Sequence, residues 1–134
     1  MPRLKDEFGP GLDNAFASLL EDSDDRGMFD DTAVVVMNEH GRTPKIQSVS
    51  GGGRDHWSLA YSAIFAGGGF AAGRVVGRID RVAGDVAETP FSRKDFVAAL
   101  FHLLGIDPAT EIHDRFGRPY AIGGSGGVRT ELLA

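Results

Sequence analysis

Nineteen glycines in 134 residues, gathered at 51–53, 67–69 and 123–127, limit what this chain can fold into. Such clusters mark turns and loops rather than a disordered low-complexity tract, and they interrupt helices and strands alike. The elements between them must be short, and no internal repeat organises them. A chain of this length makes one domain or part of one.

Two apolar runs remain for strands. Residues 32–37 are apolar on both faces, the pattern of a central strand in a sheet covered on both sides. Residues 59–66 read as a second buried strand, stopped by Gly67-Gly68-Gly69, and 74–79 as a short edge strand. Leu12, Phe16, Leu19 and Leu20 stand at i, i+4, i+7 and i+8, one face of an amphipathic helix ending near Arg26-Gly27. Ser92-Arg93-Lys94-Asp95 resembles a capping box, and the helix it opens would have Phe96, Val97, Leu100, Leu103 and Leu104 as its apolar face. Gly105 ends that helix, and 128–133 reads as a short final one. The order helix, strand, strand, helix suits a slice of an α/β sheet. Two buried strands need more cover than these helices supply.

The net charge of -5 and the pI near 5.2 argue against a nucleic-acid surface. The imbalance is local: residues 1–31 hold nine acidic and three basic residues, the remainder ten and eleven. No apolar run approaches the about 20 residues of a membrane helix. Residues 1–7 are charged and do not read as a signal peptide. Without cysteine there is neither a disulfide nor a thiolate site.

The chemistry concentrates after the first apolar run, in the long loop 38–57. Glu39 and His40 stand where a strand ends, and His56 lies in the same stretch. Carboxylate and imidazole both bind zinc, and carboxylate also suits manganese or calcium. Asp55 is placed to orient His56 by a hydrogen bond from beyond the ligand sphere. Arg42 and Arg54 suit bidentate recognition of phosphate, sulfate or carboxylate. The bland alternatives are a solvated Glu-His pair, a His packed beside Trp57, and surface ion pairing of the two arginines. Thr43-Pro44 reads as a rigid turn, and nothing requires Thr43 to be a nucleophile.

Other motifs carry less. Gly67-Gly68-Gly69-Phe70-Ala71-Ala72 fits a dinucleotide fingerprint, but the residues after it do not read as a helix whose N-terminus could face a pyrophosphate. His102, in a last helical turn, and His113 are expected to serve local roles. No Ser-His-Asp arrangement or nucleophile elbow is present.

These residues carry a family resemblance. The stretch from Asp30-Asp31-Thr32 to Val36, Glu39-His40-Gly41-Arg42-Thr43-Pro44-Lys45, Gly53-Arg54-Asp55-His56-Trp57 and Phe65-Ala66-Gly67-Gly68-Gly69 resemble the C-terminal part of a bacterial sulfatase-like family, domain of unknown function 1501, of the alkaline-phosphatase-like superfamily. The likeness continues through Leu104-Gly105-Ile106-Asp107-Pro108 and His113-Asp114-Arg115-Phe116-Gly117-Arg118-Pro119 and covers essentially the whole chain. It implies an α/β fold, the C-terminal portion of a three-layer sandwich built around one or two divalent metals, incomplete by itself. The superfamily hydrolyses or transfers phosphate and sulfate esters. By this resemblance Glu39 and His40 match an acidic-His-Gly metal motif and His56 a later metal-ligating His. Glu39 replaces the usual Asp, and the subfamily often has an aromatic residue at the position of His40.

Relatives are much longer. Their nucleophile and further metal-binding segments lie upstream of the helix that opens this chain, and their export signal belongs to that region too. The resemblance thus implies the C-terminal segment of a metal-dependent phosphate or sulfate ester hydrolase, inactive alone. The metal would be zinc, manganese or calcium, and the missing half or a second copy would pair with the segment. A different class of function is also open: a non-enzymatic, metal-stabilised binding or scaffolding module for anionic glycans or a partner chain. A functionless remnant is the third reading.

Overall fold

Apolar periodicity and glycine punctuation translate, among the described residues, into two α-helices and eight short strands. The computed structural model describes residues 3–134. A π-helical turn, Leu4–Phe8, leads into α1, Gly9–Asp25, which Pro10 opens and Arg26 caps. Gly27, at φ 65°, turns the chain away. This matches the helix expected from the leucine spacing. Among the described residues, no helix is long and apolar enough to cross a membrane.

The strands are β1 (Val34–Val36), β2 (Gly41–Arg42), β3 (His56–Trp57), β4 (Ile64–Ala66), β5 (Arg78–Ile79), β6 (Val86–Glu88), β7 (Glu111–His113) and β8 (Pro119–Ala121). They form four two-stranded antiparallel sheets, β1 with β4, β2 with β3, β5 with β6 and β7 with β8. The class is mixed α/β. In β1–β4, Val34 faces Ala66, Val35 faces Phe65 and Val36 faces Ile64.

The apolar run 32–37 is not a covered central strand. Its paired core has one hydrogen-bonded neighbour and is only half-buried. The run 59–66 pairs only over its last three residues, and 74–79 only over its last two. The loop expected over 38–57 contains the β2–β3 ribbon.

Helix α2, Arg93–Leu103, begins with the capping box that its sequence announced. The amide of Asp95 donates to the Ser92 hydroxyl (3.2 Å), and the amide of Ser92 donates to the Asp95 carboxylate (2.8 Å). Its buried face differs from the expected one. Ala98 and Ala99 are fully enclosed, whereas Val97 and Leu104 point outward. The C-terminal loop approaches the first turn of the helix closely. A Cβ on Gly126 would overlap the backbone of Lys94, and the Gly127 amide donates to Asp95 (2.9 Å). The expected final helix is a single 3-10 turn, Thr130–Leu132.

The core is small. Phe65 of β4 meets Phe70 at 5.0 Å, Phe96 at 5.6 Å and Phe91 edge-on at 6.1 Å between ring centroids. Around this cluster only Ala60, Phe70, Ala98 and Ala99 are buried apolar residues among those described. The chain exposes 9706 Å². A compact monomer of its 14.3 kDa would expose about 6,800 Å².

Gly68, at φ 52°, lies so close to Ala33 that a Cβ would come within 2.8 Å of it. The triple glycine is therefore a tight backbone crossing beside β1. The residues after it are not helical, in keeping with the rejected dinucleotide reading.

Candidate metal and anion site on the β2–β3 ribbon

Strand alternation assembles the candidate residues. In the ribbon Arg42 faces His56 and Gly41 faces Trp57. Arg42 and His56, directly opposite in the pairing, lie on one side of the ribbon, and His40, just ahead of β2, reaches the same imidazole. The His40 and His56 rings stack, with centroids 5.2 Å apart and planes at 27°. His40 is half-buried, and its Nδ1 atom is buried without a hydrogen-bond partner. An unsatisfied buried ring nitrogen is costly unless something else uses it.

The arginines differ. Arg42 is exposed, and its Nη1 donates to the carbonyl of Arg54 (3.3 Å). Arg54 is half-buried, and its Nε is buried and unpartnered. Thr43 fastens the ribbon end. Its amide donates to the Asp55 carbonyl (2.9 Å), its hydroxyl accepts from the Asp55 amide (3.0 Å), and that hydroxyl donates to the Lys45 carbonyl (3.2 Å). Both carboxylate oxygens of Asp55 accept from the Gln47 side-chain amide, at 2.8 and 2.9 Å. Asp55 thus holds the loop through Gln47, a different contact from the His56-orienting one expected of it.

Glu39 is exposed, just ahead of the ribbon. With His40 it lines a cleft of ≈ 780 Å³, bounded further by Tyr61, Phe65, Arg74 and Arg93. The cleft runs between the β1–β4 and β5–β6 ribbons and the start of α2. Reading along the chain could not find it, because its walls come from segments far apart in sequence. The Trp57 indole donates to the Gly84 carbonyl (2.7 Å) and ties the ribbon to the β5–β6 hairpin. Nothing local in the sequence signals that bond.

The structure brings His40 and His56 together, with Arg42 and Arg54 on the same ribbon. It does not gather a third donor. Among the described residues, no group of three or more His, Cys, Asp or Glu side chains converges. A zinc site uses three or four protein ligands, so the donors present fit part of one.

The family model described as protein of unknown function, DUF1501, matches residues 2–133. The chain belongs to this family. No curated protein and no solved structure matches it. The sequence resemblance to this family therefore holds, and the DUF1501 chain has the helices and small sheets of a mixed α/β class.

Proposed function

We propose that this DUF1501 chain is the metal- and anion-binding segment of a phosphate or sulfate ester hydrolase of the alkaline-phosphatase-like type, its fold a C-terminal part of that three-layer sandwich. The observation that carries this reading is the His40–His56 pair, with a buried Nδ1 lacking any partner. Two imidazoles held together on a ribbon are suited to share a divalent ion, and Glu39, next to His40 in the chain and exposed, is the carboxylate assigned to join them. Zinc fits the imidazoles best, and manganese or calcium gains more from the carboxylate. A bound divalent ion supplies Lewis-acid polarisation of an ester oxygen and an acidified water.

The chain's own residues hold and orient. Arg54 has a buried, unpartnered Nε–H, and Arg42 offers an exposed guanidinium that reaches the Arg54 carbonyl. Together they suit the non-bridging oxygens of a phosphate or sulfate group, where negative charge develops as the ester breaks. The nucleophile is assigned to a polypeptide segment other than this one, so the chain alone is expected to turn over negligibly.

Calorimetric titration with zinc and manganese tests the reading, wild type beside Glu39→Ala, His40→Ala and His56→Ala. Micromolar binding lost in the His variants supports it. Absence of binding by folded protein overturns a preformed site. Robust esterase activity of the pure chain, abolished by His56→Ala, would overturn the assignment of the nucleophile elsewhere.

A second reading is a non-enzymatic, metal-stabilised module that binds anionic glycans or a partner chain. The exposed Arg42 guanidinium beside the half-buried Arg54, two cationic groups on one ribbon, favours it. Unchanged phosphate affinity with and without metal, together with tighter binding of a sulfated polysaccharide, distinguishes it.

A further inference from the structure

His40 belongs to two places at once. Its ring stacks on His56 of the ribbon at 5.2 Å, and with Glu39 it borders the cleft of ≈ 780 Å³. Arg42, Arg54 and His56 are not among the residues that line that cleft. An anion held by the ribbon beside His40 therefore has the cleft next to it.

The cleft has the size of a small-molecule site, which encloses about 300–1,000 Å³. Its walls are largely apolar. Phe65, Phe91 and Phe96 border it and are half-buried. Phe70, the fourth member of the aromatic cluster, is buried and does not border it. The cluster is thus closed around Phe70 and open to the cleft. Leu59, Ile64 and Val76 continue the apolar lining, and Leu59 and Ile64 remain 55 and 48% exposed.

Polar groups on the border are in part already engaged. Glu88 pairs with Arg78 across the β5–β6 hairpin, and the Ser92 hydroxyl donates to the Asp95 carboxylate (2.6 Å). Arg74 and Arg93 are exposed and stay solvated. A sugar carries hydroxyls over most of its surface and would lose water against these walls without replacing it. An apolar group gives up no hydrogen bond and gains contact with the aromatic side chains.

We propose that the ester taken at this site carries an apolar organic group, which lies in the cleft against Phe65, Phe91 and Phe96 while its phosphate or sulfate is held at the ribbon beside His40. The ribbon then selects the anion and the cleft selects what the anion is attached to. This inference rests on the reading of the ribbon as a metal and anion site, and it adds the substrate class.

The test is calorimetric titration of the full chain in the presence of zinc. The probes are inorganic phosphate, glycerol phosphate and phenyl phosphate, at a pH where all three are dianions. Phenyl phosphate is expected to bind about tenfold tighter than either of the others. Leu59→Asn and Val76→Asn each remove apolar surface from the cleft without adding charge, and neither belongs to the ribbon. Each is expected to reduce that advantage to about threefold, with unchanged far-ultraviolet circular dichroism. Inorganic phosphate that binds as tightly as phenyl phosphate would overturn the inference and leave the ribbon reading standing. So would glycerol phosphate that matches phenyl phosphate, since the cleft would then favour no apolar group. An advantage unchanged in both Asn variants places the ring outside the cleft and overturns it too. If none of the three binds to the zinc-loaded chain, the ribbon reading itself fails and this inference falls with it.

Discussion

A side-chain carbon on residue 41 would overlap the carbonyl oxygen of Ala60 and lie 3.2 Å from that of Trp57. Gly41 follows Glu39 and His40 in sequence and faces Trp57 in the ribbon, so the backbone of the returning segment passes directly over it. Ala60 is itself buried and has little room to retreat. Gly41→Ala is therefore expected to destabilise the fold by about 1–3 kcal/mol, the range for forcing extra volume into a packed position. Urea unfolding followed by circular dichroism measures it. The same variant should lose metal affinity if the ribbon holds the two imidazoles in place. An unchanged midpoint would mean that the segment around Ala60 moves aside freely.

Much of the helical structure was legible because its signals are local. Ser92 and Asp95 are three residues apart, and their reciprocal bonds need nothing from elsewhere in the chain. Leu12, Phe16 and Leu20 mark α1 in the same way. The strands were harder. Residues 32–37 are uniformly apolar, which reads as cover on both faces, yet β1 has one neighbour and stays half-buried. Apolar composition reports what a strand needs to bury, not what this chain supplies. The His40–His56 stack depends on an antiparallel register that pairs Arg42 with His56, and register is a long-range property. Sequence placed both residues in one loop, whereas the ribbon decided that they would touch.

Phe65 is the hub of the aromatic cluster, in contact with Phe70, Phe91 and Phe96. It connects β4, the turn after the triple glycine and the first turn of α2. Replacing it empties the centre of a core that has few other buried apolar residues. Phe65→Ala is expected to cost about 3 kcal/mol, the lower end for such truncations because Phe65 is half-buried. In a core this small that loss should abolish cooperative thermal unfolding, which calorimetry would detect. Phe65→Leu should retain a transition.

Asp95 ties α2 to the C-terminal loop, and its protonation should govern part of the acid stability. Hydrogen bonds from the Ser92 hydroxyl and then from the Gly127 amide hold its carboxyl below the ordinary value, outweighing the opposing effect of desolvation. The unfolded chain therefore takes up this proton at higher pH than the folded one. The stabilisation is fully present above the unfolded carboxyl range, about 4, and is lost as pH falls through the depressed folded value. Asp95→Asn keeps the shape but removes the charge. At neutral pH the variant is expected to be less stable by about 1 kcal/mol, the typical value of a helix cap. The difference between wild type and variant should shrink as pH is lowered below about 4. Denaturant titrations at several pH values measure it, and a gap independent of pH would assign the stability to shape alone.

The two arginines of the ribbon should contribute unequally to anion binding. Arg42 is exposed and already donates to the Arg54 carbonyl, so its guanidinium stays solvated and partly engaged. Arg54 is half-buried, with an Nε that has lost water and gained no partner. An anion that reaches Arg54 meets a donor already desolvated, where a charge-assisted hydrogen bond is strongest. Replacement by Lys keeps the charge and removes the planar fork. Arg54→Lys is therefore expected to weaken phosphate binding by about tenfold, the equivalent of one such bond, and Arg42→Lys by much less. Calorimetric titration with inorganic phosphate at constant ionic strength compares them. Equal losses would place the anion over the exposed strand instead, with charge alone as its attraction. No loss in either would remove the ribbon from anion recognition altogether.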